Sequence, residues 1–308
     1  MKEYILNYYP NFKCIANKCK HTCCAGWEAD IDKTTLEGYK TENSAFATTL
    51  KNGINFKKST FKIDKNRRCA FLMDNGLCEI ICNLGEERLC QICRDHPRFK
   101  SGFTGETITG LGFSCEESTK IILSFKDKIQ PILVNDDNNA EELDFYEKFV
   151  MEFRVSALNI LQDRSITINE RLKKLLNLCN TGLDKKDYKK VLKRLLSLEK
   201  LNKSWAKRLK SIKNKPISLT ANDNLSLYIE QFLVNSIYRH VSTAEDTLVA
   251  HATTIVFVYC WFIIQNLYQA ESNDIALLFD IVREFSSEVE YSTKNLSKLF
   301  DFACKLIK

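Results

Sequence analysis

Ten of the thirteen cysteines fall between Cys14 and Cys115, in the order Cys14, Cys19, Cys23, Cys24, Cys69, Cys78, Cys82, Cys90, Cys93 and Cys115. A plain apolar core has no use for such bursts. Thiolates at short spacings either converge on metal or oxidise to disulfides, and the compartment decides between the two. The opening MKEYILNYYPNFKC has no basic stretch followed by an apolar one, so the expectation is a reducing cytosol and metal ligation. The odd total of thirteen would also leave one thiol over if all were paired.

The spacings narrow the kind of metal site. Only Cys90-x2-Cys93 has the knuckle spacing of a zinc ribbon. Adjacent Cys23 and Cys24 point apart and are hard to seat on one tetrahedral ion, whereas a cluster or two neighbouring sites can use both. Four thiolates satisfy an iron–sulfur cluster, so ten allow one such site with spares, or two. The C-x3-C-x2-C pattern of radical S-adenosylmethionine enzymes begins at Cys19 and Cys23 but meets Gly26 at its third position. No G-x-G-x-x-G follows a strand-like segment. His21, inside the first burst, and His96 could replace a thiolate, although the many nearby thiols make this unnecessary.

Composition shifts near residue 120, which predicts a cysteine-rich metal-binding domain over 1–120 with a few short strands and an all-α domain over 121–308, a mainly α protein. Glycine and proline number only 10 and 4, which suits helices. INFKKSTFKI (54–63) and TGETITGLGFSC (104–115) read as strand-bearing, and Asp32 as a helix N-cap. Helical periodicity predicts helices at about 116–130, 139–163, 167–180, 184–200, 202–213, 223–240, 244–269, 274–289 and 293–307, punctuated by Pro131, Pro216 and NDDNN (135–139). Cys179, Cys260 and Cys304 sit on apolar faces of these helices and read as buried hydrophobes. The longest apolar run, 252–264, is short of the ~20 residues a membrane span needs and reads as a core helix; no membrane partner is expected.

Net charge is +6, yet residues 164–215 hold 17 Lys/Arg against 4 Asp/Glu, an excess of +13 that leaves −7 for the rest. Such a stripe either forms a solvated helix face or attracts an acidic partner, protein or nucleic acid.

FKCIANKCKHTCCAGWEADID, CAFLMDNGLCEI, LGEERLCQICRDHPRF and SCEES, in that order over about residues 12–119, resemble the flagellin lysine-N-methylase (FliB-type) family and its cysteine-rich zinc- or iron-chelating domain. YIEQFLVNSIYRHV (228–241) extends the likeness. The resemblance implies transfer of a methyl group from S-adenosylmethionine to flagellin lysines in the bacterial cytoplasm, nucleic acid not being a partner. It further implies a centre held by Cys14, Cys19, Cys23, Cys24, Cys69, Cys78, Cys93 and Cys115, a [4Fe–4S] cluster or alternatively zinc. Cys82 and Cys90 stand outside this pattern, and Cys115-Glu116-Glu117 departs from the family's Cys-Pro-Glu.

Methyl transfer to an amine needs a neutral lysine, against an ordinary pKa of about 10.4, and an aligned donor. Asp30, Asp32 and His96 are the candidate proton acceptors. Trp27 offers an aromatic face for a sulfonium or ammonium, unless it packs over the metal site. Arg94 and Arg98 suit a donor carboxylate, or the negative charge of a thiolate cluster. Two other classes fit the same residues: a nonenzymatic metal–cysteine protein that binds nucleic acid through the basic stripe, and an electron carrier.

Overall fold

The first residues form a strand. Lys2–Leu6 is β1, and it leads through fully buried Leu6 and Tyr8 into the core. The computed structural model describes residues 1–137, 142–272 and 274–306. Parts of the NDDNN tract, the start of the 139–163 helix and the last residue of the 293–307 helix lie outside them. The chain forms two compact units, Lys13–Arg98 and Met1–Phe12 with Phe99–Lys308. This division differs from the compositional break near 120, because Phe103, Ile108, Leu111, Phe113 and Ile122 pack into the helical core although they neighbour the cysteines in sequence.

In Lys13–Arg98 every element is short: α1 (Lys33–Thr41), α2 (Ala47–Asn52), β2 (Ile54–Asn55), β3 (Thr60–Phe61), α3 (Glu79–Leu84) and α4 (Gln91–Asp95). INFKKSTFKI folds as a two-stranded hairpin that pairs Ile54 with Phe61 and Asn55 with Thr60. Leu36, Tyr39, Leu50, Ile54, Phe61, Phe71 and Ile80 form a small core, with the Phe61 and Phe71 rings edge to face at 5.2 Å. Gly53 is required there, since a Cβ would stand 2.2 Å from the Phe71 ring.

The second unit is mainly helical with a small mixed sheet. Its further strands are β4 (Arg98–Ser101), β5 (Glu106–Leu111) and β6 (Pro131–Asp136), in the order β4-β5-β1-β6, and α5 (Glu116–Leu123) follows β5. β1 runs parallel to β5 and antiparallel to β6. Two expectations are corrected here. The helix expected over 116–130 stops at Leu123, and the segment expected to be all-α contains β6. Proline is tolerated as the first residue of an edge strand, and Ile132-Leu133-Val134 supply strand-forming side chains, so Pro131 opens a strand instead of only closing a helix.

Among the described residues eight α-helices follow: α6 (Phe145–Leu161), α7 (Ile168–Leu178), α8 (Lys185–Ser197), α9 (Lys203–Ser211), α10 (Ser226–His240), α11 (Thr247–Glu271), α12 (Ile275–Phe285) and α13 (Thr293–Leu306). Asp144 with Glu147 and Thr167 with Glu170 form capping boxes that fix the starts of α6 and α7. α11 is apolar on all sides, and α6, α8, α10, α12 and α13 pack around it. It is long and apolar enough to cross a membrane, and most of it is buried among those neighbours. Cys179 and Cys260 are buried and Cys304 is half-buried in this unit.

Candidate functional site

Three chain segments of the Lys13–Arg98 unit converge through their backbones. The amide of Cys69 donates to the carbonyl of Cys24 at 2.8 Å, and the amide of Gly26 donates to the carbonyl of Arg67 at 2.9 Å, which joins the first burst to the second. Gly26 adopts φ +97°, open to glycine with little strain. Leu72 and Cys78 bridge, and Glu79 donates to Phe71 at 2.8 Å, so Cys69 and Cys78 flank one tight turn. Cys78 precedes α3 and Cys90 precedes α4 as their N-cap residues.

The thiols sense one another. A hydrogen bond from Cys23, helped by Thr22, holds the Cys24 thiol down at about 7 against its burial. Burial pushes Cys69 up to about 12, and Cys24, Cys78 and Cys90 add to the rise. Burial likewise raises Cys78, next to Cys24 and Cys82. Cys93 donates to Cys90, so Cys90 is lowered and Cys93 raised, the latter also by Cys24 and Cys23. Six thiols, Cys23, Cys24, Cys69, Cys78, Cys90 and Cys93, therefore share one neighbourhood, with Cys82 at its margin beside Cys78. The Tyr39 hydroxyl, raised by burial and by Cys90, Cys93 and Cys78, stands beside it and donates to the Arg88 carbonyl at 2.6 Å.

Of the expected eight, Cys23, Cys24, Cys69, Cys78 and Cys93 influence one another's ionisation, and so does Cys90, which the family pattern leaves out. Cys14 is exposed and accepts from the Ala16 amide at 3.4 Å, while Cys19 lies by the His21 carbonyl. Cys115 belongs to the helical unit, where it precedes α5 near Tyr291. The signal that could have singled out Cys90 is its place immediately before a helix in the one knuckle pair.

Cys14, Cys24, Cys69, Cys78, Cys82, Cys90, Cys93, Cys179 and Cys260 are thiols. The donor set, soft and numerous, suits iron–sulfur or zinc chemistry. Among the described residues, however, no three His, Cys, Asp or Glu side chains are placed around a single ion. The residue types fit a cysteine-held centre by their chemistry.

The other candidates resolve into different roles. Asp32 caps α1 through the Thr35 amide at 3.0 Å and also accepts from the Gln91 amide at 2.8 Å, at the start of α4. One carboxylate thus ties two helix starts, and its pKa is lowered because these amides outweigh its burial. Asp30 is exposed, its backbone bridged to Thr60. Trp27 is half-buried against the small core and donates its indole N–H to the Cys23 carbonyl at 2.9 Å, so it packs on the first cysteine burst. Arg98 donates to the Arg94 carbonyl at 3.1 Å, and Arg94 is exposed. His96 is half-buried at the end of α4 before the cis bond to Pro97.

The basic stripe maps to α7, α8 and α9, and part of it is spent within the fold. Arg164 and Arg171 both reach buried Glu230 at 2.7 Å, and Arg208 meets Glu271, Asp280 and Glu284. Lys185, Lys186, Lys189 and Lys193 remain on the exposed face of α8.

No family model matches the chain, and no solved structure does. The chain is 28% identical over 138 residues to the flagellar biosynthetic protein FliU of Salmonella muenchen, covering 41% of this chain and 82% of that protein. It is 26% identical over 174 residues to the lysine-N-methylase of Salmonella choleraesuis, covering 52% of this chain and 43% of that protein. The lysine-N-methylase of Salmonella typhimurium is 25% identical over the same length. The chain therefore spans less than half the length of these two lysine-N-methylases, and half of it is similar to them.

Proposed function

We propose that this chain is a cytoplasmic protein-lysine N-methyltransferase that uses S-adenosylmethionine and acts on flagellin, with a cysteine-held metal centre, a [4Fe–4S] cluster or zinc, in the Lys13–Arg98 unit. The similarity to two lysine-N-methylases over 174 residues carries this reading. S-adenosylmethionine supplies a methyl group on a sulfonium, a strong electrophile. The chain's own task is then to align a lysine and remove its proton. Asp32 is committed to two helix starts, so exposed Asp30 is the carboxylate proposed to receive the substrate ammonium. Arg94 and Arg98 flank the thiols, where their charge offsets thiolates. Cys24, Cys69, Cys78, Cys90 and Cys93 are the proposed ligands, and a centre on them ties the three backbone segments together.

The test is incubation of anaerobically purified protein with isotopically labelled S-adenosylmethionine and flagellin, read by mass spectrometry of flagellin peptides. Methylated lysines are expected, and their loss in Asp30→Asn, with Asp32→Asn still active when folded, would support the assignment. Unmodified flagellin from a protein with its full metal content would refute the reading. A reversible optical change on reduction of that same inactive protein would favour an electron carrier, which the thiol neighbourhood alone supports.

A further inference from the structure

Away from the thiols, the helical unit holds an open groove of about 360 Å³ between α6 and the segment that leads into β6. Its walls are apolar at Ile129, Pro131, Val155 and Leu158. Three polar side chains that line it are nine-tenths or more buried: Arg154, Gln162 and Tyr238, at 7%, 9% and 5% exposure. Apolar hollows of this size with a few fixed polar groups are where small molecules bind. Each of the three keeps hydrogen-bonding capacity unused. Arg154 spends one N–H on Ser242 and one on Glu106, both at 2.8 Å, and lies over the Phe103 ring. Its guanidinium is thus held in place with further N–H donors to spare. The Tyr238 hydroxyl makes no hydrogen bond among the described residues. Burial raises its pKa to about 12, so it stays a donor, and Arg154 and Glu106 are its charged neighbours. The Gln162 amide nitrogen donates to the Ile129 carbonyl at 3.3 Å, while its carbonyl oxygen is buried with no partner among the described residues.

The groove is polar at its two ends and apolar between them. Arg154 lies within α6 and Gln162 caps its end, which sets them about 12 Å apart along the helix axis. Tyr238 belongs to the Arg154 end and Ile129 to the Gln162 end. The lining carries two cations, Arg154 and Lys128, and no carboxylate, which favours an anion over a cation. At the far end a single neutral acceptor in a buried wall suits a neutral N–H, because an ammonium there would keep hydrogens unsatisfied. We propose that this groove binds an elongated small molecule with a carboxylate at the Arg154–Tyr238 end, an apolar body, and a neutral N–H donor at Gln162. Two kinds of molecule carry that chemistry. One is a nucleoside amino acid such as S-adenosylhomocysteine, whose adenine amine is the donor. The other is a short apolar peptide with a free terminal carboxylate, whose amides are the donors. The proposal does not rest on the methyltransferase reading, since a chain that methylates nothing can still hold such an acid.

Isothermal titration calorimetry on the full chain, with S-adenosylhomocysteine and with N-acetylated trialanine, tests the proposal and separates the two sources. At least one of them should bind with a dissociation constant below about 1 mM. Its counterpart without the carboxylate, adenosine or the trialanine amide, should bind at least about tenfold more weakly, the loss expected for a hydrogen-bonded charge. Tyr238→Phe removes a hydroxyl with no partner in the fold, so the circular dichroism spectrum should stay the same. The acid should then bind roughly three- to tenfold more weakly while the carboxylate-free counterpart is unaffected, a distinction that a fold defect would not make. Gln162→Leu should weaken binding about two- to tenfold. Val155→Trp, at an exposed position, should fill the groove and abolish binding of both forms. The proposal is overturned if neither acid binds below about 1 mM, if the carboxylate-free counterparts bind equally well, or if binding is indifferent to Tyr238→Phe and Val155→Trp. Absence of labelled methyl transfer in the same preparation would refute the methyltransferase reading and leave these outcomes as they are.

Discussion

The two units are held by different means. Met1–Phe12 with Phe99–Lys308 is built around α11, whose side chains from Ala252 to Leu267 are all buried, and its ring contacts are typified by Phe232 against Trp261 at 5.4 Å. Lys13–Arg98 has helices of five to nine residues, a core of about a dozen side chains, and thiols where a larger domain would place hydrophobes. A core this small leaves little buried apolar surface, a shortfall that metals or disulfides commonly make good in small domains. The comparison teaches that one unit carries its stability in side-chain packing, while the other, with its small core, clustered thiols and few polar ties, has the most to gain from the proposed metal centre.

The largest expected effect breaks the small unit only. Cys69→Ser with Cys78→Ser, or removal of metal by chelation, should unfold Lys13–Arg98 and leave the helical unit standing. Structural metal binding amounts to about 10–16 kcal/mol in zinc-finger peptides, and that binding is folding energy. Calorimetry should lose one transition and limited proteolysis should stop near the unit's ends. A single unchanged transition would show that the thiols are ordinary core residues.

The converse experiment is Trp261→Ala in α11. The side chain is fully buried, so a cost of about 3–5 kcal/mol is expected, confined to the transition of the helical unit. If chemical denaturation moves both transitions equally, the two units unfold as one.

Sequence reading reached these two units unequally, for a physical reason. Helices α6 to α13 announce themselves by local periodicity and caps, and the expected spans fall within about four residues of those observed, except that α6, expected from 139, begins at Phe145. β1 and β6 carry no such mark. Their partners are about a hundred residues away, and Pro131 reads locally as a break when it begins an edge strand. In the site, the bursts disclosed sulfur chemistry, but not which thiols meet. That depends on the Cys24–Cys69 and Leu72–Cys78 backbone pairings, which nothing local encodes. The double use of Asp32, capping α1 and also binding the first amide of α4, was likewise visible only in half.

The helical unit should also have its own acid limit. Buried Glu290 lies 2.7 Å from His240 Nε2 and 3.4 Å from Arg239. Burial alone would raise its pKa, yet Arg239 and His240 outweigh it and hold the carboxyl at about 2, against an ordinary 4.5. As pH falls the unfolded chain takes up this proton first. The stabilisation is complete above about 4.5 and is lost progressively towards about 2, a few kcal/mol in all. His240, lowered chiefly by burial, acts with the same sign from about 6.5 downward. Glu290→Gln should be less stable at neutral pH and should flatten the 4.5-to-2 part of the curve. An unchanged slope there would remove Glu290 from the acid limit.

A smaller effect tests the polar ties of the cysteine unit. Asp32→Ala removes an N-cap and the acceptor for the Gln91 amide at one stroke, so about 1–2 kcal/mol is expected. Asp32→Asn keeps an acceptor and should cost less. Hydrogen exchange at the Thr35 and Gln91 amides reports both ends. Faster exchange at Thr35 alone would show that α4 does not depend on this carboxylate.

The smallest change in stability concerns the face of α8 and separates folding from recognition. Lys185, Lys186 and Lys189 are exposed, and Lys190 pairs with Asp187 in the same turn, at 2.8 Å. Reversing all four to glutamate should shift stability by no more than about 1 kcal/mol, because exposed pairs contribute little. Arg164, Arg171 and Arg208, whose partners are buried or half-buried carboxylates, should not be exchanged, since their loss would confuse the outcome with unfolding. On the proposed methyltransferase reading, the stripe attracts an acidic protein substrate over a distance limited by screening to about 8–10 Å at physiological salt. The Michaelis constant for flagellin should therefore rise severalfold at low ionic strength and lose most of its salt dependence, while turnover of a short lysine peptide stays the same. Unaltered kinetics on flagellin at low salt would make α8 a solvated helix face. A loss on both substrates would instead place these lysines close to the chemistry, and the separation between a packed scaffold and a sulfur-held site would no longer describe how this chain works.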